Sequence, residues 1–443
     1  MRPLNGLILV VLTLLAPVSA AAAPEPAAGA LMLQECIDLA LANNPDVAAR
    51  GLEAAQAQAQ RDGAAGRQWP SLRAVGAANY FLDNQRLIAA RYNGESGIFG
   101  QAILSGDLVL TMPIFTGGQI TSRIQAAELL QASAEHRLAR TREELVFNVS
   151  SAFFSILAQQ RLIESMEFSA RSLERQRERI QDLIAVSKGV RVDLLRTEVR
   201  LANLEQRRTQ ERNVMEILRR VLANLMGRRE TNGPVTIRGA LEFRPMDVAP
   251  ERLLASVYER REDYLAARAE VAAQERSVAG AQGTQWPQIS LRGAYGVRDI
   301  VKPEQHPLAL NNPNDAGVIG IVIDLPIFEG GQISARIREE QARLSAARER
   351  LRKLELQIRL EVESAALNAT SAQQRILTTG KSVEQAQEGY GIEQDKYDLG
   401  KGTIVDVLDA QAALLEAQSA YYRALADHEI AKAQLRLARG ETR

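Results

Sequence analysis

Leu325-Pro326-Ile327-Phe328-Glu329-Gly330-Gly331-Gln332-Ile333 decides how this chain is read, because the stretch occurs twice. The earlier copy is Met112-Pro113-Ile114-Phe115-Thr116-Gly117-Gly118-Gln119-Ile120, 213 residues upstream. Before each copy, apolar residues alternate with small or polar ones, the period of a strand with one apolar face. After each copy comes a very long run without proline and with helical periodicity. Each copy is therefore a junction where strand passes into helix, and the paired glycines suit a backbone that must turn tightly between the two.

Working outward from the first junction, residues 71–82 set Leu72, Ala74, Gly76, Ala78 and Tyr80 against Arg73, Val75, Ala77 and Asn79. Residues 103–112 set Leu104, Leu108, Leu110 and Met112 against Ser105, Asp107 and Thr111, with a polar loop at 83–101 between the two strands. The second junction has the same preface: strands at 288–298 and 317–325 around a loop at 299–315. Each strand has the length that crosses a bilayer when tilted. Beyond the junctions, helices are predicted over 118–187 and 331–398, rods of roughly 100 Å at about 1.5 Å per residue. Lys188-Gly189 and Leu399-Gly400-Lys401-Gly402 turn the chain into return helices at 192–225 and 404–438. Charged stretches such as Arg175-Gln176-Arg177-Glu178-Arg179 read as solvated faces with i,i+4 pairing.

Upstream of each hairpin lies a further helix, 31–67 and 250–283, the first carrying Asn44-Pro45 as capping residue and first-turn proline. Trp69-Pro70 and Trp286-Pro287 precede the strands at equivalent places. They suit a membrane–water boundary, and equally a packed helix-to-strand corner. The chain thus divides into a targeting segment at 1–23, a first repeat at 24–226, a connector at 227–249 and a second repeat at 250–443. The targeting segment has Arg2 at its basic end, an apolar run from Leu7 to Leu15, and a cleavage signal near Val18-Ser19-Ala20.

The 443 residues carry no net charge, which argues against a nucleic-acid partner. Aromatics are only 5% of the chain, a composition suited to long packed helices. A single cysteine, Cys36, rules out a disulfide framework within the chain. The fold class expected is mainly α with a small β part, a strand hairpin plus a long helical hairpin, duplicated. Four strands with an apolar face leave edges that lipid cannot satisfy, and four are too few to close a membrane barrel. Two copies would supply eight strands and three would supply twelve; alternation alone does not choose. The helices on one end of the hairpins would continue such a barrel as an α-helical tube, with Asp107, Thr111, Arg292 and Asp324 turned away from lipid.

Asn44-Pro45, the doubled Pro-Ile-Phe-x-Gly-Gly and Thr403-Ile404-Val405-Asp406-Val407-Leu408-Asp409-Ala410 resemble the TolC family of outer-membrane efflux and secretion channels. The resemblance covers essentially the whole chain after the targeting segment. It implies a homotrimer sharing a twelve-stranded barrel in outer-membrane lipid, with an α-barrel in the periplasm. It also implies a periplasmic adaptor and an inner-membrane pump as partners. Asp406 and Asp409 are three apart, hence on one helical face. In an oligomer they would form rings of carboxylates that draw cations, although Asp near a helix start also serves the macrodipole. The resemblance implies the ring, placed at the periplasmic entrance. It also implies that Tyr397 helps hold that entrance shut. The family's partner arginine falls at Gly402, which cannot serve. The first repeat keeps Asp193 but has Arg196 where the second has Asp409, so Asp193 reads as a capping residue.

No enzymatic chemistry is legible. His136, His306 and His428 are isolated, and no metal-ligand spacing or nucleophile motif occurs. Neither a cofactor nor a metal is expected. The competing class is a periplasmic coiled-coil adaptor without a pore, which would not need a lipid-facing stripe such as Ile319, Ile321, Ile323 and Leu325. Drug, metal and protein export would share one tube, so the cargo is open.

Overall fold

The computed structural model describes residues 30–90, 92–93, 97–228, 235–246, 256–300 and 315–441. The targeting segment, parts of the 227–249 connector and most of the 299–315 loop lie outside the described residues. In chain order the elements are α1 (Leu33–Asn43), α2 (Pro45–Gly66), β1 (Ser71–Arg86), β2 (Phe99–Phe115), α3 (Gln119–Ala185) and α4 (Arg191–Leu225). They continue as α5 (Val257–Arg260), α6 (Glu262–Gln282), β3 (Gln288–Ile300), β4 (Asp315–Asp324), α7 (Gln332–Asp398) and α8 (Ile404–Arg439).

The strands form one antiparallel sheet in the order β1-β2-β3-β4. Its register aligns the two faces across all four strands. Ala74 pairs with Leu108, Leu108 with Tyr295, and Tyr295 with Gly317; Leu110, Gly293 and Ile319 form the next row. Asp107, Thr111, Arg292 and Asp324 all fall on the opposite face, where Arg298 donates to Asp107 at 3.4 Å. The apolar face lies open: Ile319 is 73% exposed and Leu108 52%. No described helix is long and apolar enough to cross a membrane. β1 and β4 are the sheet's two edges. β4 has ten residues, so its free edge alone leaves a row of backbone groups at several kcal/mol each in hydrocarbon, on the order of tens of kcal/mol. A lone chain cannot sit in lipid.

The strands run further than their alternation. Gln85 pairs with Gly100 and Arg86 with Phe99, so the first hairpin takes in both ends of the expected 83–101 loop. The ladder continues there past a register shift between Tyr80 and Gln85, where Phe81-Leu82 is followed by Asp83-Asn84-Gln85-Arg86 and the period-two contrast disappears.

Gly118 and Gly331 stand just before α3 and α7 with φ of 81° and 84°, a left-handed conformation open mainly to glycine. Gly117 is more constrained, because a Cβ there would run into the Gly283 carbonyl oxygen and press on Cβ of Trp286. The Trp286-Pro287 corner is thus packed against the first junction, while Trp286 as a whole stays 60% exposed, so both readings of the tryptophan stand.

Helix packing sets a lateral order. The long helix α3 touches α2 and α4 on one flank and α6 and α8 on the other, and α7 lies beyond α6 and α8. Across the molecule the order is therefore α2 with α4, then α3, then α6 with α8, then α7. The strands follow in the same order, each joined to its helix, so β1 and α2 share one edge and β4 and α7 the other.

The expected helix at 31–67 breaks at Asn44, and the one at 250–283 breaks at Arg261. Both breaks are joints where a return helix ends against the start of a second helix. Asn44 accepts from Asp46 N at 2.9 Å and donates to Leu225 O at 2.9 Å. Arg261 holds Asp263, Glu361 and the Ala438 carbonyl. Gly227 and Gly440, with φ of 64° and 67°, close the two return helices against the backbone of Asn43 and Arg260. The connector, with Val235 and Ile237 against α1 and α3, then crosses to α7 and α8, where Gln373 accepts from Met246 N at 3.1 Å. Cys36 is buried in the α1 core, and burial pushes its thiol up to about 11.

Glu143 lies buried on α3 beside the second joint. Burial pushes its carboxyl up to about 7; Arg140 opposes the shift and Glu262 adds to it. The unfolded value is near 4.5. Between these values the folded chain keeps a proton that the unfolded chain releases, so stability falls as pH rises through the window. The expected loss is at most about 3 kcal/mol between pH 5 and 8. Melting temperatures of wild type and Glu143→Gln should converge at pH 5, with the variant higher at pH 8. Parallel curves would show that Glu143 is not the titrating group.

Candidate functional site

The end of the molecule far from the sheet is built by the α3–α4 and α7–α8 turns. Leu162, Met166, Leu173 and Ile180 of α3 share a core with Leu204 of α4 and Ile404, Val407, Leu408 and Leu415 of α8. Gln411 donates to the Ser169 carbonyl at 3.1 Å within that core. The two helical hairpins therefore pack as one body in this chain.

Asp406 occupies the third position of α8 and completes a capping box. Its backbone N–H donates to Thr403 Oγ1 at 3.3 Å, and its carboxylate accepts from Thr403 N at 3.1 Å. Those hydrogen bonds hold its carboxyl below the usual carboxylate range. The helix-start role foreseen for this residue is thus present, and it orients the carboxylate. Asp409 lies exposed one turn on, in the wall of a groove of about 490 Å³ between α4 and α8. Val192, Leu195 and Val199 line the groove with it, and so do Arg196 and Arg200. Its repeat counterpart Arg196 thus shares a groove with it. Val190, not Asp193, precedes α4, and no side chain caps that helix. The capping role expected of Asp193 is not made, because Val190 stands where the second hairpin has Thr403 and offers no hydroxyl.

Tyr397 lies at the end of α7, half-buried. Burial, and after it the charge of Asp193, raise its phenol above the ordinary tyrosine value, with Arg179 and Gln176 acting against them. It therefore stands among groups of α3 and α4, and Gly402, with no side chain, is not one of them. Two further links join α3 to α7: Ser172 Oγ to Tyr390 Oη at 3.0 Å, and Arg179 to Asp398. Arg179 belongs to the stretch expected to be a solvated face. Gln176 in that stretch is instead 8% exposed, and Arg179 reaches across to α7. Local i,i+4 spacing gave no sign of this, because the partner is 219 residues away. His136 pairs with Glu262 at 2.6 Å and His428 with the Arg244 carbonyl at 3.1 Å, while His306 lies outside the described residues.

A family model described as outer membrane efflux protein matches residues 36–228 and 253–441. The chain belongs to the outer membrane efflux protein family. It is 26% identical over 312 residues to the cobalt-zinc-cadmium resistance protein CzcC of Cupriavidus metallidurans, covering 70% of this chain and 71% of that one. It is 22% identical over 340 residues to the outer membrane protein TolC of Escherichia coli, covering 74% and 67%. The crystal structure of VceC from Vibrio cholerae superposes with a TM-score of 0.76 at 21% identity, over 92% of this chain and 96% of that one. The protein is an outer-membrane efflux channel with its helical barrel in the periplasm. The poreless adaptor alternative falls with the family assignment, and the sheet's open apolar face is what an adaptor would lack.

Proposed function

We propose that three copies of this chain close one twelve-stranded barrel, continued by a helical tube, as the exit duct of an inner-membrane pump coupled through a periplasmic adaptor. The observation that carries this reading is the four-stranded sheet with one face apolar in every strand and both edges open. Three copies leave room for a water-filled lumen lined by the polar face, where two would fill theirs with side chains. The duct performs no chemistry of its own, residues 1–23 direct export, and the pump selects the cargo. The likeness to a cobalt-zinc-cadmium resistance protein does not select metal over other cargo.

Asp406 and Asp409 become two stacked rings of carboxylates at the periplasmic mouth. Tyr397, with Arg179 and Asp398, ties the second hairpin to the first and keeps that mouth narrow. In planar-bilayer recordings, Asp406→Ala with Asp409→Ala should lower cation preference and weaken block by divalent cations. Unchanged selectivity would remove the ring assignment while leaving the duct intact.

A further inference from the structure

One packing arrangement occurs in full within the chain and once by half. α3 has α6 against one flank. Its repeat counterpart α7 stands at the molecular edge with that flank bare. Residues of α7 follow their counterparts in α3 by 213, and residues of α6 follow those of α2 by 217. Every contact between α3 and α6 therefore names one that α7 would make with an α2 from another copy.

Three polar contacts between α3 and the α6 region keep their chemistry under this shift. Arg137 pairs with Glu270, and the shifted residues are Arg350 and Glu53. Arg140 lies 4.0 Å from Asp263, and the shifted residues are Lys353 and Asp46. Gln119 Nε2 donates to the Gly283 carbonyl at 3.3 Å, and the shifted residues are Gln332 and Gly66. Two contacts are not kept: Ser133 with Glu270 becomes Ala346 with Glu53, and His136 with Glu262 becomes Glu349 with Pro45. Among the described residues, Arg350, Lys353 and the Asp46 carboxylate have no ion-pair partner, and Glu53 has only Arg50 one turn away at 2.7 Å. The cations line one edge of the molecule and the carboxylates the other.

The strands obey the same shift. Leu108 opposite Tyr295 becomes Ile321 opposite Ala78, and Met112 opposite Leu291 becomes Leu325 opposite Ala74. All of these lie on the apolar face, whereas a slip of one residue would turn the incoming strand's side chains to the wrong side.

We propose that a second copy of this chain docks head to tail along this seam. Arg350 meets the partner subunit's Glu53, Lys353 meets the partner subunit's Asp46, and Gln332 donates to the Gly66 carbonyl of the partner subunit. β4 pairs with the next β1 in the register just given. The contact is heterologous, and the closed barrel requires its repetition to return to the first copy as a ring. The proposal rests on the reading that several copies share one barrel, and adds the residues and register of the seam.

The test is a carbodiimide, which joins an ammonium directly to a carboxylate in contact with it, applied to the full-length protein extracted in detergent. Peptide mapping should find Lys353 joined to Asp46 between chains. Lys353→Arg, which keeps the charge but cannot be coupled, should abolish that link without changing the size of the assembly. Arg350→Glu should reduce assembly, and adding Glu53→Arg should restore it. An oligomer of unchanged size with no Lys353–Asp46 link would overturn the seam while leaving the shared barrel. A particle of one chain, sized before coupling, would overturn both.

Discussion

Replacing Arg261 by alanine is expected to lower the stability of the folded chain by about 3–5 kcal/mol, enough to leave little assembled protein in the membrane. The guanidinium is 1% exposed. It holds Asp263 with two nitrogens, Glu361 at 2.6 Å and the Ala438 carbonyl at the end of α8. Truncation leaves the part-buried Asp263 carboxylate with the Tyr264 N–H at 2.9 Å and Arg140 at 4.0 Å as its remaining partners, and a desolvated carboxylate that loses its close cation costs more than the pair contributed. It also uncouples the start of α6 from α7 and α8 together. Arg261→Lys keeps the charge without the planar fork and should lose roughly half as much. Thermal melting of the purified protein at pH 7 reads the difference. A shift corresponding to under about 1 kcal/mol would show that the joint is held by packing alone.

The second large effect is expected at the mouth. Arg179 and Asp398 are part-exposed, at 46% and 36%, so a single pair contributes only about 0.5–1 kcal/mol. In the proposed trimer, three such pairs released together would amount to roughly 1.5–3 kcal/mol, a change of about 10- to 100-fold in the ratio of closed to open. Asp398→Ala should therefore raise conductance in planar-bilayer recordings, and Asp398→Ala with Tyr397→Phe should raise it further. Conductance equal to the wild type in both variants would mean that these links do not hold the entrance closed.

Much of the architecture was legible because the chain states it twice. The doubled Pro-Ile-Phe-x-Gly-Gly marked both strand-to-helix junctions, and positive φ at Gly117, Gly118, Gly330 and Gly331 is the reason glycines are there. The alternation of Leu104 to Met112 and of Ile319 to Leu325 gave the lipid face, because there one side of each strand meets a different medium. Past Tyr80 the apolar-polar alternation stops at Phe81-Leu82-Asp83-Asn84, so the strand continued without a signal. The joint at Asn44 was readable from its proline. Its counterpart at Arg261 was not, since an arginine carries no local mark of a cap and two of its three partners are 100 and 177 residues away. The proposed mouth residues Asp406, Asp409 and Tyr397 came from the resemblance. The Arg179–Asp398 pair was not legible, because only the packing of α3 against α8 brings α7 within reach.

The account depends on a sheet whose two edges are completed by other copies of the same chain. Native mass of the complex extracted from outer membranes in mild detergent tests this most directly. Three chains per particle is the predicted result; a stable single chain, or a pair closing eight strands, would contradict it.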